Sequence, residues 1–279
     1  MPLFAWGANS YGQLGTGNLN DSFSPVLSNL SIGDIVGITG GGGHSIAWSR
    51  TCFFSVGHNS HGQLGLGHKR ECLSWTENYI DGYELVNVAC GWNHSLILAQ
   101  NDQGNSLVLG CGSNEKGQLN ITEKETSSFK LIFKSAKKIA CGVWHSLILG
   151  EDNLVHGFGG AKRHRFNGPL SLPLSQNEIV IDISAGHFHS AFLTNNGLIV
   201  VGGEKWGLVS GPSPFRRIET NYITQVVSGW NHLVFIESGA IKAIGRNDHG
   251  QLGIGKKSPF ESDPHISISD STDCTVRLF

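Results

Sequence analysis

The sequence predicts an all-β protein of the propeller class, and three observations carry that prediction. A glycine-rich motif recurs and ends in Gly-Gln-Leu-Gly at residues 12–15, 62–65 and 250–253. A second motif, built around a histidine, recurs between the copies of the first. Short runs of β-forming residues, separated by turn residues, fill the intervals, and such runs favour strands over helices. Self-similarity at a period of about 20 to 50 residues is typical of a repeat architecture.

The two motifs keep the same step along the chain. The marker glycines of the first motif recur every 43 to 55 residues, and they are Gly7, Gly57, Gly112, Gly159, Gly202 and Gly245. The histidines of the second motif recur every 43 to 51 residues, and they are His44, His94, His145, His189 and His232. Because two separate signatures share one step, chance similarity does not account for them.

Each unit contains material for several short strands. Residues 45–48, 95–98 and 146–149 are brief apolar runs that follow a glycine-rich turn, and residues 198–201 and 241–244 are β-rich runs that end next to a glycine. Four short strands in a unit of about 40 to 50 residues is the sequence pattern of a propeller blade. The tight turns of such a blade require positive φ angles, which explains the 38 glycines.

Taken in order, the repeats form a single predicted domain over residues 1–279. The predicted units are a partial repeat at 1–30, complete repeats at 31–80, 81–132, 133–176, 177–219 and 220–260, and a partial repeat at 261–279. The third repeat has His164-Arg165-Phe166 where Gly-Gln-Leu would recur, and the fourth has Trp206-Gly207-Leu208. The segment from Lys256 to Asp273, rich in Ser and Asp, is predicted to be a loop.

Over residues 3–255 the pattern resembles the regulator of chromosome condensation repeat family. The resemblance rests on residues 3–15, 38–45, 88–92 and 228–234, where the Trp-Gly-x-Asn-x-x-Gly-Gln-Leu-Gly block alternates with Gly-x-x-His-Ser. It implies a seven-bladed β-propeller. Six glycine blocks face five histidine blocks in this chain, so we expect it to fall short of that ring by roughly a blade or more. A truncated isoform, a partial gene model and a shorter closed ring all remain open.

The composition narrows the function classes. The formal net charge is −2 and the pI about 6.7, which does not match the basic footprint of a nucleic-acid-binding protein. The start of the chain shows no secretory signal pattern, and its apolar runs are too short to span a bilayer. None of the six cysteines forms a C-x-x-C pair. We therefore expect reduced thiols and a cytoplasmic protein, with the nucleus as a second location.

Three groups of residues are candidates for function. The five repeat histidines could form a metal-binding ring, but we favour a structural role in which each hydrogen-bonds backbone of a neighbouring blade, since ligands must converge on one ion. Trp92 and Trp230 are candidate partner contacts on an aromatic face. The related plant UV-B photoreceptor uses such tryptophans, yet Trp144 is displaced by one position here. The basic residues Lys162, Arg163 and Arg165 are further candidate partner contacts.

No catalytic motif accompanies these candidates. The sequence contains no P-loop, Gly-x-Ser-x-Gly or His-Glu-x-x-His pattern, so we expect no cofactor and a regulatory, non-catalytic protein. The resemblance implies a small GTPase, or an effector assembly such as the exocyst-type secretion machinery, as partner, with guanine nucleotide exchange as a possible activity. The family's founder uses a β-wedge between blades, and none is evident here. The alternative is an interaction scaffold of the ubiquitin-ligase, chromatin or tRNA-modification type.

Overall fold

A computed structural model describes residues 2–30, 34–161, 165–209, 213, 215–219 and 222–268. Within these residues the chain forms 22 β-strands and one short 3-10 helix, at Glu204–Trp206. The strands group into one two-stranded and five four-stranded antiparallel sheets. This confirms the predicted all-β propeller class.

The two-stranded sheet, here called the half-blade, consists of β1 (Phe4–Gly7) and β2 (Ser22–Leu27). Blade I contains β3 (Gly37–Gly40), β4 (His44–Trp48), β5 (Phe53–Gly57) and β6 (Cys72–Asn78). Blade II contains β7 (Glu84–Cys90), β8 (His94–Gln100), β9 (Ser106–Ser113) and β10 (Glu125–Lys134).

Blade III contains β11 (Ala136–Cys141), β12 (His145–Gly150), β13 (Val155–Gly159) and β14 (Phe166–Pro169). Blade IV contains β15 (Val180–Ala185), β16 (His189–Thr194), β17 (Gly197–Gly202) and β18 (Phe215–Ile218). Blade V contains β19 (Ile223–Ser228), β20 (His232–Glu237), β21 (Ala240–Asn247) and β22 (Ser258–Ile268).

Every blade is a meander whose strands pair in chain order. The first strand of each blade lies innermost, and together with the turns that follow them these five strands line a central channel of about 390 Å³. The prediction of a loop over Lys256–Asp273 is wrong for residues 258–268, which form β22 and pair with β21. Residues 269–273 lie outside the described residues. The Ser and Asp content misled that prediction, since an outermost strand has little need of apolar residues.

The hydrophobic core lies between the blades rather than inside any one of them. In β8, Leu96 and Leu98 pack in a cluster with blade III, while Ile97 and Ala99 pack in a cluster with blade I. Successive side chains of a strand point to opposite faces, and both faces of a blade are covered. This is why the second strands read as continuous apolar runs.

The Asn-x-x-Gly-Gln-Leu motif folds the connection between the third and fourth strands. In blade I, Asn59 Oδ1 accepts the Leu64 N–H at 3.0 Å, and its Nδ2 donates to the carbonyls of His68 and Arg70 at 2.8 and 2.9 Å. Gln63 Oε1 accepts the His61 N–H at 3.0 Å. Asn9, Asn114 and Asn247 make the same bond to the leucine. The motif is therefore a hydrogen-bonded turn.

Candidate functional site

The repeat histidines join consecutive blades. Nε2 of His44 lies 2.8 Å from Ser95 Oγ, Nε2 of His94 lies 3.0 Å from Ser146 Oγ, and His145 repeats the contact at 3.0 Å with the serine of blade IV. The predicted partner was backbone, and the structure shows a serine hydroxyl instead. The serine is the residue after the next histidine, so in blades II and III the His-Ser pair contacts both neighbouring blades.

The spacing Gly-x-x-His has a steric cause. A Cβ added at Gly91 would lie 2.1 Å from Cε1 of His94, and the same holds at Gly41 with His44, at 2.3 Å. The imidazole ring therefore occupies the place of the missing side chain. Burial lowers the pKa of His44 and of His94 to about 3, so both rings are neutral.

The hydrogen bond from a repeat histidine to the serine of the next blade is missing between blades IV and V. His189 is buried like its counterparts, but the residue that would supply the hydroxyl is Leu233. Neither ring nitrogen of His189 has a hydrogen-bond partner among the described residues. Burial, followed by the proximity of His145, lowers the pKa of His189 to about 3. His232 holds the same position in blade V, and burial lowers its pKa too.

An aromatic cluster covers the mouth of the channel on the face where these turns lie. Trp92 and Trp230 meet edge to face with ring centroids 4.8 Å apart, and His187 lies 4.7 Å from Trp230 and stacks on Phe188 at 3.6 Å. Trp144 contacts both His187 and Phe188, at 5.1 and 5.4 Å. Edge-to-face pairs at these distances are favourable. Trp92 is 37% exposed and Trp230 44% exposed, so the cluster presents aromatic surface to solvent.

A groove of about 1050 Å³ runs from this cluster over blades III, IV and V and reaches the connection between β9 and β10 of blade II. Its aromatic lining consists of Trp144, Phe188, Trp206 and Trp230. Its charged lining consists of Lys116, Arg165, Lys205, Arg246, Glu115 and Glu204. Apolar and aromatic walls with a few polar groups are typical of binding sites.

Trp206 organises the outer wall of this groove. The Lys205 ammonium lies 4.8 Å and the Arg246 guanidinium carbon 4.9 Å from a Trp206 ring centroid, which are cation–π distances. Arg246 also donates two hydrogen bonds of 2.7 Å to Asp248 and holds the pKa of that carboxyl well below its usual range. Lys205, Trp206 and Arg246 thus lie in contact at the wall of the groove.

The structure brings part of the predicted contact set together. Arg165 and Trp230 line the same groove, and Trp92 touches Trp230 from across the channel mouth. Lys162 and Arg163 lie outside the described residues. Sequence reasoning did not single out Phe188, Trp206 or Asn231, which also line the groove. The available signal was that Trp206 stands where the turn motif is lost.

Two further observations concern metal binding and membrane-spanning helices. The described part of the chain holds no cluster of three or more His, Cys, Asp or Glu side chains arranged for a metal ion. No helix in that part is long and apolar enough to cross a membrane.

The sequence profile described as the "Regulator of chromosome condensation (RCC1) repeat" matches residues 2–48 and 52–98, and a second profile of that description matches 85–118. The mouse "Secretion-regulating guanine nucleotide exchange factor" is 36% identical over 94% of this chain and 63% of its own length. The bovine protein of the same name is 37% identical over 90% of this chain and 61% of its own length. This chain thus spans less than two thirds of those relatives.

Among solved structures, that of human WBSCR16 superposes with a TM-score of 0.78 over 95% of this chain and 78% of the other. The sequence identity is 19%, so the likeness establishes the fold alone.

Proposed function

Because this chain belongs to the regulator of chromosome condensation repeat family, we propose that it binds a small GTPase and regulates its nucleotide state as a guanine nucleotide exchange factor. The observation that carries the proposal is the 36% identity, over 94% of this chain, to a mouse protein named for that activity. Its name also motivates the finer proposal that the regulated process is secretion and that the secretion machinery is the setting of the partner.

An exchange factor needs binding surface rather than reactive groups. It stabilises the nucleotide-free GTPase by displacing the phosphate and Mg²⁺ contacts that order the switch loops. The rigid blades and the exposed aromatic cluster around Trp92 and Trp230 are suited to that task. No proton transfer or covalent step is required of this chain.

The test is the rate of GDP release from a panel of purified small GTPases loaded with a fluorescent GDP analogue. We expect this chain to accelerate release from one GTPase in proportion to its concentration. The mouse relative, assayed in parallel, serves as the positive control. If the relative accelerates release from a GTPase on which this chain has no effect, the exchange proposal fails for this chain.

A non-catalytic scaffold is the second candidate, and one observation favours it. In the ranges that the structure describes, every strand belongs to a blade or to the half-blade. None of these strands therefore forms a separate hairpin wedge between blades. For a scaffold, a pull-down with the nucleotide-free and GTP-loaded forms would recover a GTPase or another partner while GDP release stays at the basal rate.

A further inference from the structure

The groove lies where the repeat loses its turn. In blade I, residues 58–71 connect the third strand to the fourth, and the Asn59 turn fills the space above the blade. In blade III only residues 160–165 make that connection. In blade IV the described part of the connection contains the 3-10 helix at Glu204–Trp206 and lacks the Gly-Gln-Leu sequence. Trp144, Phe188 and Trp206 line the groove beside these two connections.

A buried acceptor on the groove floor has lost its donor for the same reason. In blade II, Asn93 Oδ1 accepts a hydrogen bond from Gln63 of the preceding blade at 3.5 Å. Asn231 is the equivalent residue of blade V, but blade IV reads Gly207-Leu208 with no glutamine between. Asn231 is 4% exposed, and its Oδ1 has no partner in the described part of the structure. An unpaired buried acceptor is costly, and an N–H from a ligand would satisfy it.

The rim of the groove is locally basic in a chain whose net charge is −2. Lys116, Arg165 and Lys205 are exposed, and none of them forms an ion pair with another described residue. Lys116 and Arg165 therefore offer their charges to a ligand, and the exposed Lys205 ammonium does so from its place over the Trp206 ring. The carboxylates of Glu115 and Glu204 lie in the same lining, so the positive charge is divided into separate points.

We propose that this groove is the docking site for an extended acidic peptide segment of a partner protein. Its carboxylates would pair with Arg165 and Lys205, its apolar or aromatic side chains would pack on the groove tryptophans, and a backbone N–H would donate to Asn231. A polynucleotide fits less well, because a continuous phosphate backbone would run past the two glutamates. The proposal does not depend on nucleotide exchange, and its test contains no GTPase.

The probe is a fluorescein-labelled short peptide in which glutamate alternates with leucine and tryptophan, and binding to the full chain is followed by fluorescence anisotropy. The matched probe has lysine in place of every glutamate. We expect the glutamate peptide to bind at least tenfold more tightly than the lysine peptide. Arg165→Glu and Lys205→Glu should each weaken it about fivefold or more, since each turns an attraction into a repulsion.

Two control variants make the test specific to the groove. Lys134 is an exposed lysine that pairs with Leu107 at the far end of blade II, so Lys134→Glu makes the same charge change and should leave binding unchanged. Asn231→Ala should weaken the peptide about threefold, because it removes the acceptor. Asn93→Ala, the same substitution in blade II, should not. Circular dichroism melts confirm that each variant is folded.

Four outcomes would overturn the proposal. They are equal binding of the two peptides, tight binding that Arg165→Glu and Lys205→Glu leave intact, complete displacement of the glutamate peptide by an equimolar single-stranded oligonucleotide, and self-association. The last is checked by sedimentation velocity. A dimer of the chain that Arg165→Glu dissociates would show that a second copy, and not a peptide, occupies the groove.

Discussion

Replacing the repeat histidines one at a time distinguishes a joint that is hydrogen-bonded from one that is not. His94→Met removes, at a fully buried site, the hydrogen bond between Nε2 of His94 and Oγ of Ser146, which lie 3.0 Å apart. His189→Met removes a ring that has the same environment but no partner for either nitrogen. Methionine has a similar volume and packs in irregular spaces, so the two variants differ mainly in what the imidazole was bonded to.

The expected changes in the free energy of unfolding have opposite signs. Loss of one buried neutral hydrogen bond costs about 0.5–1.5 kcal/mol, and leaving the other partner unsatisfied adds to that cost. His94→Met should therefore lower the free energy of unfolding by about 1–2 kcal/mol. Removal of an unsatisfied buried polar group relieves a penalty of about 1–3 kcal/mol. After allowance for imperfect packing, His189→Met should raise stability by about 1 kcal/mol.

Urea denaturation followed by far-UV circular dichroism measures both changes as shifts of the midpoint at constant slope. The comparison of two variants in one chain removes the uncertainty of the extrapolation to water. If His189→Met proves as destabilising as His94→Met, then His189 is bonded in solution, and the inference that blades IV and V lack this contact is incorrect.

Three other predictions follow from the same geometry. Burial holds the pKa of His94 at about 3, against about 6.5 in an unfolded chain, so protonation of this histidine favours the unfolded chain. The stability that depends on neutral His94 is therefore fully present above pH 6.5 and is lost as the pH falls towards 3. The free energy of unfolding should be about 2 kcal/mol lower at pH 5 than at pH 7.5 on account of His94. An unchanged urea midpoint would contradict this. Gly57→Ala should lower the free energy of unfolding, measured by thermal melts, by about 1–3 kcal/mol more than Gly7→Ala does. Both glycines have φ near +106°, but only at Gly57 would a Cβ meet a carbonyl oxygen, at 2.5 Å. Equal losses in the two variants would refute the contact. Arg217→Met removes the two hydrogen bonds of 2.7 and 2.8 Å that Arg217 donates to the carboxylate of Glu178, whose side chain is 1% exposed. The bonds from Ser175 and Thr194 remain. The substitution should cost about 3–5 kcal/mol in urea, and a change below 1 kcal/mol would show that water already reaches the pair.

The repeated elements were predictable from sequence because the copies of the repeat can be compared with one another. Comparing five copies shows which residues recur, so the propeller class and the family followed from the glycine and histidine motifs. The partner of each histidine did not follow, because Ser95 and His44 are joined by a packing of blades that no local pattern encodes. The outer strand of blade V was missed because an exposed strand has no apolar signature.

The groove was only partly predictable, since it is made by departures from the repeat. Arg165 and Trp230 could be named as candidates from their residue types and positions. Asn231 could not, because its significance depends on a glutamine that is absent one blade earlier. A departure becomes informative only when the structure shows which contact the consensus residue makes.

The sharing of each joint between two consecutive repeats has a consequence for how such chains can change by gene duplication. A unit that carries both His and Ser brings one half of the joint on each of its sides, so a copied unit fits beside any other copy. A ring built this way can gain or lose units without new contacts having to arise. The unit that carries Leu233 no longer offers the serine half. Such a unit cannot accept the imidazole bond of whichever unit precedes it, so the order of the units decides where in the chain that bond is missing.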